Sequence, residues 1–215
     1  LTFSYDGCYD NIFENVNYQI DTNWKLGFVG RNGRGKTTFL NLLLGKYAYK
    51  GSISSSVYFE YFPFEVGDKA EFTIDVIKRY AYNIEDWQII REINLLDLSD
   101  EILYRSFETL SNGERTKVLL VALFLKENNF LLIDEPTNHL DIKYQLSLLN
   151  IVKSLNLTII SAIHDLNIAS MYCDRLFVMK NGRIVGMGTP QEVLTKEFIK
   201  EIYDIDVEIV YDSKG

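Results

Sequence analysis

The stretch Trp24 to Gly45, WKLGFVGRNGRGKTTFLNLLLG, decides how this chain is read. Its apolar start, Trp24 to Val29, predicts a short strand. The run Gly30-Arg31-Asn32-Gly33-Arg34-Gly35-Lys36-Thr37-Thr38 then matches GxxxxGK[ST], and FLNLLLG predicts a helix ending near Gly45. Strand, glycine loop and helix make up the setting this pattern needs. Glycines let backbone N–H groups turn inward toward phosphate, and a helix N-terminus adds a favourable partial charge. Gly30, Asn32, Gly33, Gly35 and Thr38 are therefore candidate phosphate-loop positions. Lys36 is expected to reach the β- and γ-phosphates, and the Thr37 hydroxyl to ligate Mg2+.

Further along, Phe130 to Ile133 and Leu157 to Ile163 are continuous apolar runs, expected as buried parallel strands whose two covered faces remove the usual alternation. The first ends in Asp134-Glu135 and the second in His164-Asp165. Such positions, just past the carboxyl ends of strands, are where open α/β sheets bind ligands. Asp134 is the candidate metal holder, Glu135 the group that orients and polarises an attacking water, and His164 a γ-phosphate contact. Between the Trp24–Val29 and Phe130–Ile133 runs, Phe72 to Arg105 carries apolar residues at helical spacing (Ile74, Ile77, Ile89, Ile90, Ile93) and is expected to be a helical insertion. Leu110-Ser111-Asn112-Gly113-Glu114 reads as a capping box opening the helix of TKVLLVALFL, and a helix start with Ser and Gly is also an anion site. Near the end, RLFVMKNGRIVGMG predicts a hairpin turning at Asn181-Gly182, and Thr189-Pro190-Gln191-Glu192 predicts a capped helix start.

Composition narrows the function classes. With 22 Lys and Arg against 30 Asp and Glu, the net charge of −8 argues against a sequence-independent grip on nucleic acid. The two cysteines, Cys8 and Cys173, fit no metal or redox spacing, so a reducing cytoplasm is expected. No apolar run approaches the ~20 residues that span a bilayer, and LTFSYDGCYDN lacks a signal-peptide pattern. The chain is thus expected to reach a membrane only through a partner.

The phosphate loop, LSNGE and IDEPTNHLD together, in this order, resemble the ATP-binding cassette (ABC) superfamily over nearly the whole chain. The resemblance implies an α/β fold: a P-loop NTPase core with mixed sheet, helical insertion and small β lobe. It implies a single nucleotide-binding domain over 1–215 with a helical subdomain at about 72–125, binding ATP and Mg2+ and hydrolysing ATP. LSNGE would be the signature loop, so that Ser111 and Gly113 complete the site of a second copy in a head-to-tail dimer. Asp141 would be the dimer-contact aspartate and Tyr5 the aromatic stacking on adenine. Three departures stand out. Asn112 and Glu114 replace the usual Gly and Gln of the signature. Phe64, in Tyr61-Phe62-Pro63-Phe64-Glu65, falls where a Gln near metal and water is expected, which argues against efficient coupling to a partner. Finally, residues 1–141 resemble the first cassette of ABC-F antibiotic-resistance proteins, whereas 142–215 resemble ATPase subunits of iron-siderophore and cobalamin importers. Three partnerships follow as expectations: a membrane permease served by a transport ATPase, a ribosome gripped by an ATP-gated clamp, or neither in a hybrid of the two.

Overall fold

In the computed structural model the described residues are 1–21, 24–31, 33, 35–126, 129–134, 146, 149–150, 152–153 and 158–210. Six strands form one mixed sheet in the order β2-β3-β4-β1-β5-β6. They are β1 (Lys25–Gly30), β2 (Tyr58–Phe62), β3 (Asn129–Asp134), β4 (Thr158–Ala162), β5 (Arg175–Lys180) and β6 (Arg183–Gly188). The first five strands in this series run parallel, and only β5 and β6 pair antiparallel. Their hairpin turns at Asn181 (φ 49°) and Gly182 (φ 72°), both in the left-handed region that a tight turn between twisted strands requires. In β6, Ile184 pairs Met179 and Gly186 pairs Val178, which leaves Val185 as the extra residue of a bulge.

Side-chain parity sorts the core into layers. On one face Leu26, Phe28, Leu132, Ile160, Ala162, Phe177 and Met179 pack with α1 (Lys36–Leu43) and the N-terminal segment through Phe3, Phe13 and Val16. On the other face Leu131, Ile133 and Ile159 pack with the helical insertion. That insertion contains α2 (Thr73–Tyr80), α3 (Asp86–Leu95) and a 3-10 turn (Asp100–Tyr104), and a second 3-10 turn (Phe107–Thr109) and α4 (Asn112–Phe124) follow it and pack in the same core. Val29, Leu176 and Val178 continue the second face against α5 (Leu166–Tyr172), α6 (Pro190–Val193) and α7 (Lys196–Tyr203). Phe28 and Phe177 are fully buried at 5.3 Å between ring centroids. Burial of each contributes about 1.5–3 kcal/mol, so this pair is a main anchor of the α1 face. The N-terminal β lobe is formed by antiparallel bridges Thr2–Lys50 and Phe3–Phe13.

Caps are set locally, as the sequence predicts. Ser111 and Glu114 make a reciprocal capping box on α4, and Thr189 and Glu192 make another on α6 with Pro190 in its first turn. These satisfy backbone donors that a helix start leaves without intrahelical partners.

Gly27, in the centre of β1, is fixed by space. A Cβ there would lie 2.7 Å from Cys173 Sγ and 2.9 Å from Leu176 Cδ2. Burial pushes the Cys173 thiol up to about 12, as expected of a sulfur serving as packing rather than chemistry. Gly27→Ala is expected to lower stability by about 1–3 kcal/mol through overpacking. Cys173→Ala should recover part of that loss, and urea denaturation of the single and double variants measures both effects.

Candidate nucleotide-binding site

The parallel register brings the carboxyl ends of β1, β3 and β4 to one edge, with Phe28 and Asp134 both paired to Ala162. From β1 the chain enters the glycine loop and then α1. Gly35 is the N-cap, left-handed at φ 102°, and no side chain caps the helix. A Cβ on Gly35 would also meet Ile12 Cγ2 at 2.9 Å and Phe13 Cζ at 3.1 Å. Glycine is therefore required both by conformation and by space. Gly30 is buried, whereas Gly33, also at positive φ, is exposed. Lys36 is buried and donates to the carbonyls of Gly30 at 2.7 Å and Arg31 at 3.2 Å, so its ammonium sits inside the curve of the loop.

Thr37 is exposed, and its hydroxyl donates to Asp134 Oδ1 at 3.0 Å. This bond joins the first helical turn after the glycine loop to the end of β3. The other carboxylate oxygen, Oδ2, accepts from the Tyr61 hydroxyl at 2.9 Å. Thr38 is buried, with Oγ1 2.8 Å from the Tyr5 hydroxyl. Tyr5 belongs to an aromatic group with Phe3 at 5.0 Å and Tyr47 at 5.5 Å, and is partly exposed beside the start of α1. The proximity of Tyr5, then burial, raises the Tyr47 phenol above its ordinary value. His164 lies two residues beyond β4, half-buried, and Asp165 caps α5 by accepting from Asn167 N and Ile168 N. Arg31, inside the glycine loop, donates to the carbonyl of Tyr203 at 2.7 Å and so ties the loop to the end of α7.

Among the sequence-predicted residues, the structure brings together Tyr5, Gly30, Gly35, Lys36, Thr37, Thr38 and Asp134 around the start of α1. Asn32, Glu135 and Asp141 lie outside the described residues. Ser111 and Gly113 stand at the start of α4, whose core belongs to the sheet face opposite α1. Phe64 packs against the core of the helical insertion, its ring 4.4 Å from that of Tyr80. Tyr61 is the residue that sequence reasoning passed over. Its signal is parity: Phe62 is buried on the insertion face, so Tyr61, one residue earlier, faces α1.

The donor set suits a hard cation. Thr37 and Asp134 offer oxygen alone, and no group of three or more His, Cys, Asp or Glu that could hold a metal occurs among the described residues. A cation here would complete its shell from phosphate and water, as Mg2+ does in nucleotide sites. An uncapped helix start behind a glycine loop, with a buried lysine and a hydroxyl–carboxylate pair, defines a P-loop nucleotide site.

The chain belongs to the ABC transporter family, whose profile matches residues 13–138, and it is accordingly an ATP-binding ATPase. It is 34% identical over 209 residues to the hemin import ATP-binding protein HmuV of Mesorhizobium japonicum, covering 82% of this chain and 79% of that one. It is 33% identical over 226 residues to the ABC transporter ATP-binding protein YvrA of Bacillus subtilis. That alignment takes in 91% of this chain, which spans about half (51%) of the YvrA length. Among solved structures, an inward-facing metal-chelate type ABC transporter matches the fold with a TM-score of 0.78 at 22% identity, over 95% of this chain and 86% of that one. Among the described residues no helix is long and apolar enough to cross a membrane.

The capping box at Ser111 gives a pH-dependent expectation. Hydrogen bonds from the Ser111 backbone and side chain, then Arg105 nearby, hold the Glu114 carboxyl below its ordinary value. A lowered native value means that Glu114 stabilises the fold in full above its unfolded value, and that this contribution is lost as pH falls through the native one. Glu114→Ala is expected to cost about 1 kcal/mol at neutral pH. Urea midpoints of the two proteins should converge as the pH falls through that lowered native value.

Proposed function

We propose that this chain is the ATP-binding subunit of an ABC importer for haem or a related iron chelate, working as a head-to-tail dimer that closes around Mg-ATP. The observation that carries the nucleotide chemistry is the Thr37–Asp134 bond, which sets a hydroxyl and a carboxylate beside the phosphate loop. The importer assignment is supported by the hemin import relative and by the importer-like segment 142–215. An alignment covering 82% of the chain must run through Asp141, so one importer-type sequence accounts for both sides of that position. The ABC-F reading of residues 1–141, with its ribosome partner, and the hybrid reading find no support in these relatives.

In this reading the whole of 1–215 acts as one nucleotide-binding domain, with 72–125 as its helical subdomain. Tyr5 stacks on adenine. Gly30, Asn32, Gly33, Gly35 and Thr38 shape the loop that wraps the phosphates, and Lys36 exchanges its loop carbonyls for the β- and γ-phosphate oxygens. Thr37 would ligate Mg2+, and Asp134 would hold it through water. Bound there, Mg2+ would supply positive charge against the phosphate oxygens. Glu135 orients and polarises the attacking water, and His164 contacts the γ-phosphate. Ser111 and Gly113 of a second copy cover that phosphate with the N-terminus of α4, and Asp141 contacts the partner. The helical subdomain, which exposes Phe72, Tyr82 and Trp87, is the side offered to a permease. That contact would hold the subunit at the cytoplasmic face of the membrane.

Two substitutions test the roles separately. Lys36→Ala removes a charged donor to ground-state phosphate and should weaken ATP binding on the order of tenfold to a hundredfold. Glu135→Gln should leave binding intact and slow phosphate release by at least about a hundredfold. Unchanged turnover in Glu135→Gln would sink the role given to that carboxylate. The same variant with Mg-ATP should sediment as a dimer and without nucleotide as a monomer. A persistent monomer with bound ATP would instead refute the shared site.

A further inference from the structure

We infer that Tyr61 is a positioning residue for the metal site, setting the rotation of the Asp134 carboxylate through the oxygen that faces away from Thr37. This rests on the assignment of Thr37 and Asp134 to Mg2+ and adds a residue that the assignment does not contain. Tyr61 is the fourth residue of β2, paired in register with Leu132, and its neighbour Phe62, paired with Ile133, is buried and anchors the strand end on the opposite face. Strand parity therefore points Tyr61 to the α1 face, the face from which Leu132 and Asp134 also project. There its hydroxyl donates to Oδ2 at 2.9 Å while Thr37 donates to Oδ1 at 3.0 Å. Lys46 Nζ stands over the Tyr61 ring, 4.8 Å from its centre.

The consequence follows from the geometry Mg2+ demands. A carboxylate on a short side chain can turn about its last bond, and the water it would place in a near-octahedral shell tolerates little of that rotation. Two donors on different oxygens fix the plane. The Thr37 hydroxyl can donate its proton to Oδ1 and still present a lone pair to the cation, so the bond seen here is compatible with metal ligation. Tyr61 acts only through Asp134, in the manner of outer-shell groups whose loss lowers metal affinity without removing a ligand. Phe64 has no polar atom to share this task, and its ring is committed to Tyr80.

The test uses the full chain with a non-hydrolysable ATP analogue and Mn2+ as a spectroscopic stand-in for Mg2+, with metal binding followed by electron paramagnetic resonance. Tyr61→Phe keeps the ring and removes the hydroxyl. It is expected to raise the half-saturating Mn2+ on the order of tenfold, while analogue binding without metal and the urea midpoint stay at wild-type values. Tyr61→Leu, which also removes the ring from beneath Lys46, should show at least the same shift. Asp134→Asn serves as the reference for loss of the site. If Asp134→Asn shifts the metal titration and Tyr61→Phe does not, the positioning role is overturned while the metal site stands. A shift in Tyr61→Leu alone overturns it too, because the ring rather than the hydroxyl is then what matters. If neither Asp134→Asn nor Tyr61→Phe moves the titration, the metal assignment fails and the inference fails with it.

Discussion

Burial of both faces is the constraint a parallel sheet places on everything around it, and here it divides the labour of the molecule. Along β3, Leu131 and Ile133 serve the helical insertion while Leu132 and Asp134 face α1. The same alternation that builds two cores thus delivers a carboxylate to the side where the glycine loop opens. Had the strand slipped by one residue, Asp134 would point into the insertion and Thr37 would lose its partner. The chemistry therefore depends on register more than on any individual contact.

Long-range ties then hold the loop itself. Arg31 reaches the carbonyl of Tyr203, 172 residues away, and Lys36 turns back on the carbonyls of its own loop. Tyr203 is half-buried, and its phenol is pushed up to about 12 by that burial. The end of α7 thus packs beside the phosphate loop, linking a segment remote in sequence to the place where nucleotide phosphates sit.

What the sequence made legible is what local rules govern. The glycine loop, the Ser111 and Thr189 capping boxes and the Asn181-Gly182 turn each depend on a few consecutive residues, and each appears where the pattern puts it. Asp134 and His164 were legible as strand-end polar residues because an abrupt switch from apolar to charged marks the exit of a buried strand. Tyr61 was not, because its role arises only when β2 pairs with β3 and parity decides which face it takes. The Arg31–Tyr203 tie was invisible for a similar reason: no local pattern couples residues so far apart. Phe64, read in the sequence by its place in a resembling pattern, also packs against the core of the insertion, a contact no local pattern shows.

The two margins of the sheet remain. At one, the extra residue Val185 interrupts the ladder of β6, and Arg183 near its start is paired with Glu14. At the other, Glu60 of β2 is held by Lys126 at 2.7 Å. Bulges and charges of this kind spoil the flat, regular hydrogen-bonding rim that a neighbouring chain needs to extend a sheet. Among the described residues both edge strands of the sheet thus carry features that disfavour strand-to-strand association between crowded copies.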